Sequence, residues 1–207
     1  MMNNRFTQLT KDHGSWWIQK SRHYRLQVYK FYSGIVTGIA CYFKGVNKGM
    51  QCQFYGVPYF QRYPHSTIKI GNKCVFRSDQ TSNLIGVNHK TIMSTHEKGA
   101  KIIVGDNCGF SGASIGASKE IIIGNNVLCG ANVVITDFDW HPDISNTEPQ
   151  PVIIRDNVWI GLNTVVLKGV EIGENSIIGA NSLVIKSIPA NVVAGGNPCR
   201  VLKTKES

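Results

Sequence analysis

Between Ile154 and Lys186 an aliphatic residue returns at every sixth position: Ile154, Ile160, Val166, Ile172, Ile178 and Val184. A period of six fits neither the 3.6-residue repeat of a helix nor the two-residue alternation of a strand; it fits a short strand followed by a turn. Each unit reads aliphatic, often Gly, two variable or Asn positions, a small or β-branched residue and another aliphatic, as in "IGLNTV", "IGENSI" and "IGANSL". Gly and Asn are the residues expected to supply turns with positive φ. Three units make one coil, so Ile154 is predicted to stack on Ile172, Ile160 on Ile178 and Val166 on Val184, at the strand spacing of roughly 4.8 Å. The product is a triangular prism filled with aliphatic ladders. The unit also occurs upstream as "IGNKCV" at Ile70, "VGDNCG" at Val104, "IGNNVL" at Ile123 and "CGANVV" at Cys129, which sets the repeat from about residue 68 to 186.

The 207 residues suit one domain with an appendage, and 42% hydrophobic with 17% charged residues excludes a disordered or collagen-like chain. Six cysteines without a CxxC pair read as reduced thiols, and the polar opening "MMNNRFTQLTKDHGSWW" lacks a secretory pattern, so a cytoplasmic protein is expected. Cys129 occupies a ladder position and reads as a buried, inert thiol.

Charge is concentrated at one end. Residues 1 to 50 hold eight Lys/Arg against Asp12 alone, a net +7 out of +9 for the whole chain. Such confinement, without a nucleic-acid motif, argues against nucleic-acid binding despite a pI near 9.3. Residues 1–67 lie outside the legible repeat and form a basic, aromatic region with Trp17, Tyr24 and Tyr32 at loosely helical intervals. Its apolar stretch, Phe31 to Phe43, is too short to span a bilayer. Two placements follow: a helix packed on the prism with a solvated basic face, or one lying on a membrane surface with Lys20, Arg22, Arg25 and Lys30 meeting anionic headgroups.

The repeat is interrupted once, by the loop 136–151 inside "VVITDFDWHPDISNTEPQPVIIRDNVWIG". A loop at a coil corner is where chemistry can sit without disturbing the core. His141 lies just beyond that corner, and an imidazole with an ordinary pKa near 6.5 suits a general base at neutral pH. Asp137, Asp139 and Glu148 are each in reach to orient it. The other histidines are weaker candidates: His13 and His23 fall in the N-terminal region, and His65, His89 and His96 in or before early coils with no matching loop.

The hexapeptide repeat, "NVWIG" and the terminal "NVVAGGNPCRVLK" resemble the hexapeptide acyltransferases, within them the maltose, galactoside and xenobiotic O-acetyltransferase group, over about residues 68 to 203. The resemblance implies an all-β fold: a left-handed parallel β-helix with a partly helical N-terminal region and a short C-terminal tail. It implies an acetyltransferase domain over 68–207, with a catalytic loop at 136–151 and a coenzyme A-binding tail. Acetyl-CoA would be the co-substrate, no metal is expected, and the acetyl group would pass directly to a sugar hydroxyl, in surface polysaccharide biosynthesis.

By the same resemblance, the "HP" of His141 and Pro142 falls where the family has its base, and the Leu162 backbone N–H falls where an oxyanion donor is needed; Asp139 stays one of the three loop acids that could orient the base. Trp159 matches the tryptophan that flanks the pantetheine arm, Gly161 and Ala180 the backbone strip beside it, and Lys186, Arg200 and Lys203 the cations that meet the nucleotide and its phosphates. The family's acceptor-holding asparagine is missing: "CGFSGASIG" stands there, with Ser111 or Ser114 as replacements and Asp137 as a further acceptor-side candidate. The resemblance also implies a homotrimer with active sites between subunits. Alternatives are N-acetyl transfer to an amino sugar or antibiotic and a non-catalytic β-helix scaffold. A zinc enzyme resembling the γ-class carbonic anhydrases would need three converging histidines, and only His141 stands in a suitable loop.

Overall fold

The computed structural model describes residues 13–141 and 148–205. It opens with one long helix, α1 (His13–Lys44), and continues as short strands that visit three sheets in rotation. The first coil is β1 (Asn47–Lys48), β2 (Gln53–Tyr55) and β3 (Tyr59–Gln61), the second β4 (Thr67–Ile70), β5 (Val75–Arg77) and β6 (Ile92–Thr95). The third is β7 (Lys101–Val104), β8 (Gly109–Ser111) and β9 (Ser114–Ala117), the fourth β10 (Glu120–Ile123), β11 (Leu128–Ala131) and β12 (Val134–Thr136). After the loop come β13 (Val152–Ile154), β14 (Trp159–Ile160) and β15 (Val165–Val166), then β16 (Glu171–Ile172), β17 (Ile177–Ile178) and β18 (Leu183–Val184). The chain ends on β19 (Val192–Gly195) and the antiparallel β20 (Arg200–Thr204).

From β1 to β15 every strand pairs in parallel with the strand three places on, so each sheet takes one strand per coil; at the end of the second sheet β17 pairs in parallel with β19. The first sheet runs β1-β4-β7-β10-β13-β16, the second β2-β5-β8-β11-β14-β17-β19-β20, and the third β3-β6-β9-β12-β15-β18. The predicted stacking holds: Ile154 pairs with Ile172, Ile160 with Ile178 and Val166 with Val184. The core is three columns of such residues, all buried. In the first sheet Ile70, Val104, Ile123, Ile154 and Ile172 follow one another in register. Each fully buried side chain of this size contributes about 2 kcal/mol of apolar burial.

Regular pairing begins earlier than the repeat is legible. The coil from Asn47 to Gln61 pairs fully with the next, inside a region that reads as irregular in sequence. Here the second sheet's column is aromatic: Phe54 stacks on Phe76 at 5.1 Å between ring centroids, and Phe76 on Phe110 at 5.2 Å. The six-residue phase is also broken by the long connection between β5 and β6.

Glycine and asparagine divide the corner work that the sequence assigns to both. The left-handed backbone is carried by asparagines, including Asn126, Asn132, Asn157, Asn163, Asn175 and Asn181, at φ between 54° and 59°. Their amides form ladders from coil to coil, such as Asn157 to Asn175 at 3.0 Å and Asn163 to Asn181 at 3.2 Å. The repeat glycines have ordinary φ and are small for another reason. A Cβ on Gly161 would lie 2.5 Å from the Ala180 nitrogen, and one on Gly130 2.7 Å from the Leu162 nitrogen.

Helix α1 caps the first coil, with Ser33, Thr37 and Cys41 buried against it. None of the described helices is long and apolar enough to cross a membrane.

Candidate functional site

The interrupting loop leaves the third sheet after β12 and returns to the first at β13. Its stem is closed by backbone hydrogen bonds: the Gln150 N–H donates to the Asp137 carbonyl at 2.9 Å, and the Gly169 N–H donates to the Gln150 carbonyl at 3.1 Å. His141 is exposed at the near end of the loop. Residues 142–147, Pro142 among them, lie outside the described residues, as do Arg5 and Lys11 of the basic N-terminal segment.

Asp137 is fully buried, and its carboxylate accepts three backbone N–H groups: Ser118 at 2.7 Å, Lys119 at 2.8 Å and Glu120 at 2.6 Å. Both oxygens are thereby committed to the turn before β10. Asp137, expected as an acceptor-side candidate or a partner for His141, here clamps the loop stem. Asp139 forms an ion pair with Lys168 on the following coil. Glu148 is exposed at the far end of the loop.

One residue passed over in the sequence belongs to this corner. His96, two coils before the loop, lies 4.9 Å from Trp140 and 5.1 Å from Phe138 between ring centroids. Its Nε2 is 2.9 Å from the Ser94 hydroxyl. Burial holds its imidazole below the ordinary pKa, against the opposing pull of Asp137 and Glu97. Trp140 also lies directly over Gly116. Phe138, Trp140 and His96 thus form an aromatic seat immediately before His141, and no sequence signal announces it because its members are brought together only by coil stacking.

Three of the six predicted coenzyme residues, Trp159, Arg200 and Lys203, lie elsewhere, on the second sheet. Leu128, Trp159, Ile177, Val193 and Lys203 occupy one register row across five adjacent strands. Trp159 is 53% and Leu128 52% exposed, so this row is an outward apolar strip. It spans roughly 19 Å at strand spacing and ends on a cation. Arg200 stands on the same edge strand, opposite Gly195. A groove of about 330 Å³ adjoins the strip between Val75, Gly109, Leu128 and Trp159.

Gly161, Leu162 and Ala180 lie at the corner between the second and third sheets. Gly161 and Asn163 donate their N–H groups to Ile178 at 2.8 Å and Ala131 at 2.7 Å; the Leu162 N–H between them has no acceptor among the described residues. Lys186 is exposed beyond β18 of the third sheet, away from the strip. Ser111 and Ser114 flank the corner at Gly112; Ser111 is buried and accepts from Asn83 Nδ2 at 3.2 Å, while Ser114 lies beside Ile92 and Val134. Burial raises the Cys129 thiol to about 12, as fits an inert ladder residue. Among the described residues, no three His, Cys, Asp or Glu side chains converge as metal ligands.

Comparison with known proteins gives these features a context. Residues 151–186 match the family described as bacterial transferase hexapeptide (six repeats). Over 88 residues, 40% of the chain and 42% of the relative, the protein is 50% identical to a galactoside O-acetyltransferase of Lactococcus lactis subsp. lactis (strain IL1403). It is 34% identical over 103 residues, 43% of the chain and 53% of the relative, to the Escherichia coli (strain K12) protein provisionally named lipopolysaccharide biosynthesis O-acetyl transferase WbbJ. The chain thus spans about half the length of these relatives. In fold it is similar to AntD, an N-acyltransferase from Bacillus cereus solved with dTDP and 3-hydroxybutyryl-CoA. The TM-score is 0.61 at 17% identity, covering 82% of this chain and 88% of that one.

Proposed function

From a chain that carries the bacterial transferase hexapeptide repeat, we propose a left-handed parallel β-helix acyltransferase that moves an acetyl group from acetyl-CoA to a sugar hydroxyl. The observation that carries this reading is the register row from Leu128 through Trp159, Ile177 and Val193 to Lys203. A flexible, weakly polar arm followed by phosphates needs an apolar track that ends in positive charge, and the row has that form. Trp159 would pack on the arm, with Arg200 and Lys203 meeting the phosphates. When bound, acetyl-CoA supplies an activated acyl group as a thioester.

The chain's own groups account for the remaining chemistry. His141 accepts the proton of the acceptor hydroxyl as its oxygen attacks the acyl carbonyl, and returns that proton to the sulfur as the C–S bond breaks. The Leu162 N–H, without another acceptor among the described residues, donates to the carbonyl oxygen as it becomes negative, a contribution of about 3 kcal/mol for such donors in other enzymes. No side-chain nucleophile is needed. Asp139, already paired with Lys168, holds the loop near His141. Ser111 and Ser114, at the Gly112 corner, are the acceptor-side residues.

This chemistry requires more than one copy. The His141 loop sits where the third sheet turns into the first, whereas the strip lies on the second sheet, the face opposite that corner in a three-sided cross-section. A trimer in which each loop reaches a neighbour's strip joins the two halves, and a cleft between prisms supplies the depth a flat face lacks. Lys186 would then act from the third sheet of a neighbouring copy. The similarity to WbbJ supports a surface polysaccharide as acceptor.

Calorimetric titration of acetyl-CoA into wild type and His141→Ala, followed by thiol-release assays with sugar hydroxyl and amine acceptors, tests the reading. Binding by both proteins with hydroxyl-dependent turnover only in wild type is expected. Amine-dependent turnover would reassign the enzyme to N-acylation, and no binding by either protein would overturn acyl transfer.

A further inference from the structure

Helix α1 has two sides of opposite fate. Ser33, Thr37 and Cys41 face the first coil, where the Gly56 N–H donates to Ser33 Oγ at 3.2 Å. At 3.6 residues per turn, Trp17, Tyr24, Val28, Phe31, Ile35 and Ile39 fall on the opposite side within an arc of about 80°. These six are between 51% and 72% exposed, and Tyr42 extends the stripe at 82%. From Trp17 to Ile39 the stripe is roughly 33 Å long, at 1.5 Å per residue. A contiguous apolar face of that length marks an interaction surface rather than an ordinary solvated one.

Charge says what covers it. The helix His13–Lys44 contains five Lys/Arg and no Asp or Glu. Two of these cations serve the body: Arg22 donates to the Thr81 carbonyl at 2.9 Å and Lys44 to the Phe60 carbonyl at 2.6 Å. Asp79 of the body meets Tyr29 of the helix through a side-chain hydrogen bond. Lys20 and Arg25 border the apolar stripe on its two flanks, with the Lys20 ammonium 3.8 Å from the Trp16 ring centroid. Two copies of a stripe edged only by cations repel each other at its flanks, whereas an anionic surface attracts it. Trp and Tyr, each with an apolar ring and a polar edge, suit the depth where headgroups meet acyl chains.

We propose that the outer face of α1 docks the protein on an anionic lipid membrane, with the helix lying in the headgroup plane, its aromatic and aliphatic stripe inserted and Lys20 and Arg25 against the headgroups. The inference stands independently of acyl transfer. It also revises the view of the segment as a basic face: apolar residues make the contact and the cations edge it.

The test uses the full chain with vesicles of phosphatidylcholine alone, or phosphatidylcholine mixed with phosphatidylglycerol, read by co-sedimentation, with mass from light scattering. Wild type is expected to bind the anionic vesicles about tenfold or more tightly than the neutral ones. Phe31→Ser with Ile35→Ser, both exposed and charge-preserving, should lose about tenfold or more of that affinity; Lys20→Gln with Arg25→Gln should lose the preference for anionic lipid. Oligomeric mass should not change in either. No vesicle binding by wild type, binding that survives the double serine change, or a lower mass in that variant would overturn the proposal, the last by assigning the face to a second copy.

Discussion

Trp140 lies across Gly116 so closely that a Cβ on that glycine would fall 2.7 Å from the indole Cζ2. The glycine leaves the space in which the ring, with Phe138 and His96, seats the chain just before His141. Because the obstructing atom is the far end of a side chain, Gly116→Ala should leave the coils intact and move the loop instead. Turnover is expected to fall by up to about 100-fold, the cost that displacing a reacting group by about 1 Å can reach. The acetyl-CoA dissociation constant should stay within about twofold of wild type. Stopped assays alongside calorimetry separate these effects; weakened coenzyme binding with normal turnover would contradict this role for the loop.

Gly161 meets backbone rather than a side chain, since its Cβ would lie 2.5 Å from the Ala180 nitrogen. Gly161→Ala must therefore force two coils apart at a packed corner. A loss of about 1–3 kcal/mol is expected, the range for overpacking. Denaturant unfolding measures it, and an unchanged midpoint would mean that the coils tolerate the extra methyl.

The Asp137 carboxylate satisfies three backbone N–H groups in a fully buried setting. Asp137→Ala strands them, at a cost of about 1–3 kcal/mol for each donor left without a partner, unless water enters. Asp137→Asn keeps one acceptor oxygen and should lie between. The order wild type, Asn, Ala in urea midpoint is the expected result, and equal stability of Asn and Ala would rule out the clamp.

Burial lowers the His96 pKa in the folded state. Between that depressed value and the unfolded value near 6.5, the unfolded chain binds more protons, so stability rises with pH across this window. The contribution is present above about 6.5 and is lost as the pH falls through the folded pKa. NMR titration of the imidazole checks the direction, and His96→Phe should flatten this part of the stability profile.

Removing Trp159 from its row should weaken acetyl-CoA binding about 10- to 100-fold, equivalent to about 1.4–2.7 kcal/mol. Lys203→Ala should weaken it less and reduce its salt dependence, since the end of the row contributes mainly charge. Calorimetry at two ionic strengths distinguishes an apolar loss from a screened one.

Much of the architecture could be read from particular residues. The six-residue spacing from Ile154 to Val184 specifies which side chains stack, because only a coil of three short strands returns an aliphatic residue inward at that interval. The early coils were hidden because Phe54, Phe76 and Phe110 replace the aliphatic residues and the chain between β5 and β6 breaks the phase. Trp159 and Lys203 were legible singly, but not their shared row, because register joins residues far apart in the chain. The packing of Asp137 and His96 is illegible for a related reason: a carboxylate in a polar loop and a histidine in a strand look the same whether solvated or packed.

The local pattern thus determined the repeating unit, the position of the loop and the candidate base, all properties of contiguous sequence. Tertiary structure decided what those residues do for one another. It gave Asp137 to the turn at Ser118, Trp140 to Gly116, and the cation-edged outer face of α1 to the surroundings. Burial and hydrogen-bond satisfaction depend on the coil above and the coil below, and neither is a neighbour in sequence.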